Sequence, residues 1–105
     1  MAVLIVNTHQ VHPGRRQDLL NNLAENKKNF ERLGAKVRIW SSDLAGENTG
    51  RVSVALEFDD YAAWAKFRQA QGADSDWQAL GARRRSDTNR PSTFVSSSSA
   101  TEVVL

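Results

Sequence analysis

Val52-Ser53-Val54-Ala55-Leu56-Glu57-Phe58 alternates with period two, and Tyr61, Trp64 and Phe67 then recur every third residue, so the hydrophobic period changes at Asp59-Asp60. This predicts a strand that runs straight into a helix, with an aspartate placed to accept the free amide hydrogens of the first turn. Residues 3 to 11 read as a first strand, with Val3, Ile5, Asn7, His9 and Val11 on one face and Leu4, Val6, Thr8 and Gln10 on the other. Both faces begin apolar, which predicts that both are covered. Pro13-Gly14 breaks this strand. Residues 15 to 33 then form a helix whose Leu19, Leu20, Leu23, Phe30 and Leu33 make one stripe, with Gly34 as its stop.

Residues 35 to 42 alternate Val37, Ile39 and Ser41 against Lys36, Arg38 and Trp40, and Asp43 to Gly50 carries the turn chemistry of a hairpin into the strand at 51 to 58. The helix that follows runs to about Gln71. Asp74-Ser75-Asp76-Trp77 starts a short further helix, with Trp77 and Leu80 inward and Arg83-Arg84-Arg85 as a solvated end suited to the helix dipole. The closing strand spans Thr93-Phe94-Val95 to Val103-Val104-Leu105, across four consecutive serines. The order strand, helix, strand, strand, helix pair, strand is the split β-α-β pattern of an α+β, ferredoxin-like fold: a four-stranded antiparallel sheet with helices on one face. The opposite face carries Leu4 and Val6, and a second copy of the chain is the economical cover for it.

The 105 residues predict one domain over 1–105, small enough that dimerisation would help it bury surface. Fourteen Lys and Arg against twelve Asp and Glu leave a formal charge of +2, too small a surplus to indicate nucleic acid as a partner. Cysteine is absent, which excludes disulfides, thiolate metal sites and a thiol nucleophile, and fits a reducing cytoplasm. The apolar run at the N-terminus is far shorter than a membrane span needs, so no membrane partner is expected.

Pro13-Gly14-Arg15, Leu33-Gly34-Ala35-Lys36-Val37-Arg38 and Glu57-Phe58-Asp59-Asp60 through Trp64 resemble the dimeric alpha+beta barrel superfamily, which includes small antibiotic-biosynthesis monooxygenases and NIPSNAP-like proteins. The resemblance covers Val3 to Phe94. It implies a homodimer whose two sheets form a barrel, and in each subunit a pocket between the sheet and its own helices. It also implies a choice of chemistries that fold alone does not decide. Several of the superfamily's monooxygenases work without metal or flavin on phenolic or quinol-type substrates. Its haem-degrading members join an asparagine on the first strand to a tryptophan on the later helix and a histidine shortly after. Asn7 and Trp64 fall where the first two would, but this chain has no histidine after His12, so haem is not expected.

His9 and His12 are the histidines available as general bases, and their odd separation along a strand sends them to opposite faces, unsuited to joint metal ligation. No third histidine completes a metal site. Asn7 is an amide on an otherwise apolar strand and shares its face with His9. These two are the expected catalytic pair. Trp40, Trp64 and Trp77 either wall a cavity for a flat aromatic ligand or fill the core, with Trp40 in the pocket or at the dimer interface, and Arg38 and Glu57 either take solvated edge positions, pair across the sheet or anchor a polar substrate group. The sequence thus predicts a small cytoplasmic, homodimeric enzyme without cofactor or metal, a monooxygenase or cyclase acting on an aromatic or polyketide-like molecule. Its alternative is a non-catalytic homodimer that holds a metabolite in the same pocket.

Overall fold

The computed structural model describes residues 1–43 and 50–105. Its elements run β1 (Val3–Val11), α1 (Arg16–Arg32), β2 (Lys36–Ser41), β3 (Arg51–Phe58), α2 (Tyr61–Ala73), α3 (Ser75–Ser86) and β4 (Ser92–Thr101). The strands form one antiparallel sheet in the order β2-β3-β1-β4, so the α+β, ferredoxin-like arrangement expected from the sequence is present. Residues 44–49 of the expected hairpin turn lie outside the described residues.

Local chemistry accounts for the element boundaries. Asp60 caps α2 by accepting the Ala63 N–H at 2.8 Å, and Asp74 caps α3 by accepting the Trp77 N–H at 2.8 Å. Gly34, with φ of 109°, turns the chain out of α1 in a conformation that a β-carbon would strain. Leu19, Leu23 and Phe30 of α1 are buried against Val52, Val54, Leu56 and Phe58 of β3, and Phe67 of α2 joins them. Phe67 lies 5.0 Å from Phe58 and 6.0 Å from Phe30, centroid to centroid, so the aromatic part of the core sits where β3 hands over to α2.

Three expectations are corrected. The last strand ends at Thr101, because Val103, Val104 and Leu105 find no apolar surface and stay exposed. The arginine run is not merely a solvated helix end: Arg83 and Arg84 both reach Glu25 on α1, and Arg84 also donates to the Asn22 carbonyl. Arg38 does not face Glu57 across the ladder, since register sets Lys36 opposite Glu57 and Arg38 opposite Ala55. Among the described residues no helix is long and apolar enough to cross a membrane.

Candidate functional site

Among the described residues, two cavities lie between the sheet and the helices. The larger, of about 500 Å³, has Ile5 and Asn7 of β1 and Leu56 and Phe58 of β3 as its floor, with Trp64 and Trp77 among its helical walls. The smaller, of about 290 Å³, lies against His9, Leu19, Leu23, Leu80 and Phe94. Trp77 borders both, and its ring lies 4.9 Å from Phe30.

Asn7 stands in the larger cavity because the odd residues of β1 face the helices, as Val3 at 0% exposure attests. Its Oδ1 accepts a hydrogen bond from the Ser97 hydroxyl at 2.7 Å. This uses one of the two lone pairs of that oxygen, while the two amide N–H groups have no hydrogen-bond partner among the described residues. Around this donor the walls are aromatic, with Tyr61 and Trp64 edge to face at 6.3 Å. Arg68 is the cationic lining residue and is exposed. Neither His9 nor His12 is among the described residues that line this cavity.

His9 sits on the same face of β1 but borders the smaller cavity, so the expected Asn7–His9 pair is divided between two spaces. The reason lies in β4. Thr8 pairs with Ser96 but His9 with Phe94, so Val95 is an extra residue that bulges the edge strand. The bulge brings Phe94 against the imidazole in a T-shaped contact at 5.6 Å. Burial lowers the pKa of His9 from its ordinary 6.5, which keeps the ring neutral at neutral pH. His12 lies outside both cavities, its Nδ1 2.8 Å from the Arg90 carbonyl and its Nε2 2.8 Å from the Thr93 hydroxyl.

Trp64 and Trp77 therefore line the larger cavity with Asn7, whereas Arg38, Trp40 and Glu57 do not. These three share the outer face of the sheet with Leu4, Thr8 and Ser53, since their parity is opposite to that of buried Val37, Val54 and Leu56. Trp40 is 58% exposed there. The pocket position considered for it is thus corrected. Sequence reading missed Ser97 and Arg68 as lining residues and missed the smaller cavity as a separate space. Among the described residues no three His, Cys, Asp or Glu side chains converge in a metal-holding cluster.

This sheet order, with α1, α2 and α3 on one face and a cavity beneath them, is the fold shared by NIPSNAP and antibiotic-biosynthesis monooxygenase-like proteins. An uncharacterized NIPSNAP domain protein from Burkholderia xenovorans superposes with a TM-score of 0.71 at 23% identity over 100% of this chain and 95% of that one. A NIPSNAP family protein from Agrobacterium tumefaciens gives a TM-score of 0.66 at 17% identity, covering 95% of this chain and 90% of its own. A point variant of SnoaB, a cofactor-independent oxygenase from Streptomyces nogalater, gives 0.65 at 16% identity, covering 99% and 95%. No protein-family model and no curated protein matches the chain.

Proposed function

We propose that the chain is a small cofactor-independent enzyme of the monooxygenase or cyclase type, and that it binds an aromatic or polyketide-like phenol or enol in the larger cavity. The observation that carries this reading is the Asn7 amide: it lines the floor of an aromatic cavity, Ser97 holds its Oδ1, and its two N–H donors have no partners among the described residues. Such donors suit an oxygen atom that gains negative charge during reaction. Arg68 at the cavity wall favours the same anion. With no histidine in this cavity, the substrate itself must be acidic enough to ionise, its proton leaving to water. The electron-rich anion then reacts with dioxygen or closes a ring. In the oxygen reaction a ring CH₂ becomes a carbonyl, one oxygen atom enters the product and the other leaves as water, so no external reductant is consumed. SnoaB, described as a cofactor-independent oxygenase, has this fold and supports the reading.

The outer sheet face, where Leu4 and Trp40 are exposed, is the surface we assign to a second copy of the chain, as a homodimer in the cytoplasm. The test of function is oxygen uptake with 1,8-dihydroxyanthrone. The parent chain is expected to consume one dioxygen per anthrone above the buffer rate, and Asn7→Ala to lose about 10²-fold of that rate. Equal rates in the two chains would refute the role of Asn7. The second reading, a metabolite-binding homodimer, is favoured by the absence of a histidine base from the larger cavity. It would show anthrone binding without uptake.

A further inference from the structure

The smaller cavity combines an apolar floor with a cationic rim. Leu19, Leu23 and Leu80 are each no more than 7% exposed. Arg84, Arg85 and Arg90 border the same space. Their surroundings differ. Arg84 is partly buried and bound to Glu25 at 2.9 Å, so its charge is answered. Arg85 and Arg90 form no ion pair among the described residues. Arg90 is held in place by backbone carbonyls alone, its Nε donating to Asp87 and its Nη2 to Arg85, each at 3.2 Å. Carbonyls fix a guanidinium without neutralising it. Asp87 is the carboxylate that borders the cavity, and its side chain accepts the Asn89 N–H at 2.8 Å.

From this geometry we infer that the smaller cavity is a binding site for an organic carboxylate with an aromatic body, the carboxylate meeting Arg85 and Arg90 and the ring entering between Phe94, Trp77 and the leucine floor. The planar guanidinium fork matches a carboxylate, and the apolar floor requires a body that gains by leaving water. The rings of His9 and Phe94, set edge to face, offer a wall to a flat ligand. His9 adds no cationic charge at neutral pH, since burial lowers its pKa, so the preference for an anion falls to the arginines. This site shares the Trp77 wall with the Asn7 cavity but has its own floor and cationic rim, and it stands whether or not anthrone is oxidised there.

Calorimetric titration of the full chain with 1-naphthoate and with 1-naphthamide tests it, because the two probes share a ring system and differ in charge. Naphthoate is expected to bind at least about tenfold more tightly. The double variant Arg85→Gln/Arg90→Gln is expected to bind both alike, and Trp64→Ala, in the other cavity, to keep the preference. Both arginines are exposed, and a circular dichroism melt checks that the double variant folds. The comparison on the parent chain reads the charge preference without any substitution. Equal affinity for the two probes, binding of neither, or a preference that survives the double variant would overturn the inference.

Discussion

Ser97 and Asn7 are directly paired across the β1–β4 ladder, and the serine hydroxyl donates to the asparagine Oδ1 at 2.7 Å. One edge-strand serine thus orients the amide that faces the larger cavity. Ser97→Ala is expected to cost about 1 kcal/mol of stability at most, while weakening the binding of 1,8-dihydroxyanthrone severalfold. Urea unfolding beside an anaerobic titration separates the two effects.

Phe67 bridges Phe58 on β3 and Phe30 on α1. Phe67→Ala opens the core beside the cavity and is expected to destabilise the chain by about 3–5 kcal/mol, read from the urea midpoint. By contrast, Asp60→Ala removes a solvent-exposed cap and is expected to cost about 1 kcal/mol.

Asp74 holds α1 to the start of α3. It accepts two hydrogen bonds from Arg32, at 2.8 and 2.7 Å, and one from the Trp77 N–H. The Arg32 bonds, then the amide bond, pull its pKa from 3.8 to about 2. A depressed carboxylate stabilises the fold above its unfolded pKa and loses that contribution as pH falls through the folded value. The melting temperature of the parent is therefore expected to exceed that of Asp74→Asn at neutral pH, with the gap closing as pH falls from 3.8 toward about 2. A gap that persists unchanged through that window would contradict the assignment.

His9 acts at milder acidity. Its folded pKa lies below 6.5, so as pH drops past 6.5 the unfolded chain takes up a proton that the folded chain refuses. Stability is expected to fall in that range and the slope to flatten in His9→Phe, as measured by urea midpoints at successive pH values.

The fold was readable because the periods of Val52 to Phe58 and of Tyr61, Trp64 and Phe67 differ, and because Asp60 and Gly34 mark helix ends by their backbone chemistry. The inward, cavity-lining positions of Asn7, Trp64 and Trp77 were likewise readable, since strand parity and helical spacing point inward together. The division of Asn7 from His9 was not. It depends on a bulge at Val95, and the serine tract beside it has no hydrophobic alternation from which a register could be read. The sharing of Glu25 between Arg83 and Arg84 joins residues almost sixty positions apart, which local pattern cannot connect. Trp40 and Arg38 were placed correctly opposite Val37 and Ile39. Only the packed helices decide which of the two faces holds a cavity.

The most direct test follows the side-chain amide of Asn7 by ¹⁵N–¹H NMR while 1,8-dihydroxyanthrone is added without oxygen. Saturable shifts of the Asn7 Nδ2 resonances are expected together with those of the Trp64 and Trp77 indole signals, and none at the His9 ring. Binding that leaves Asn7 unmoved, or no binding at all, would contradict the role proposed for Asn7.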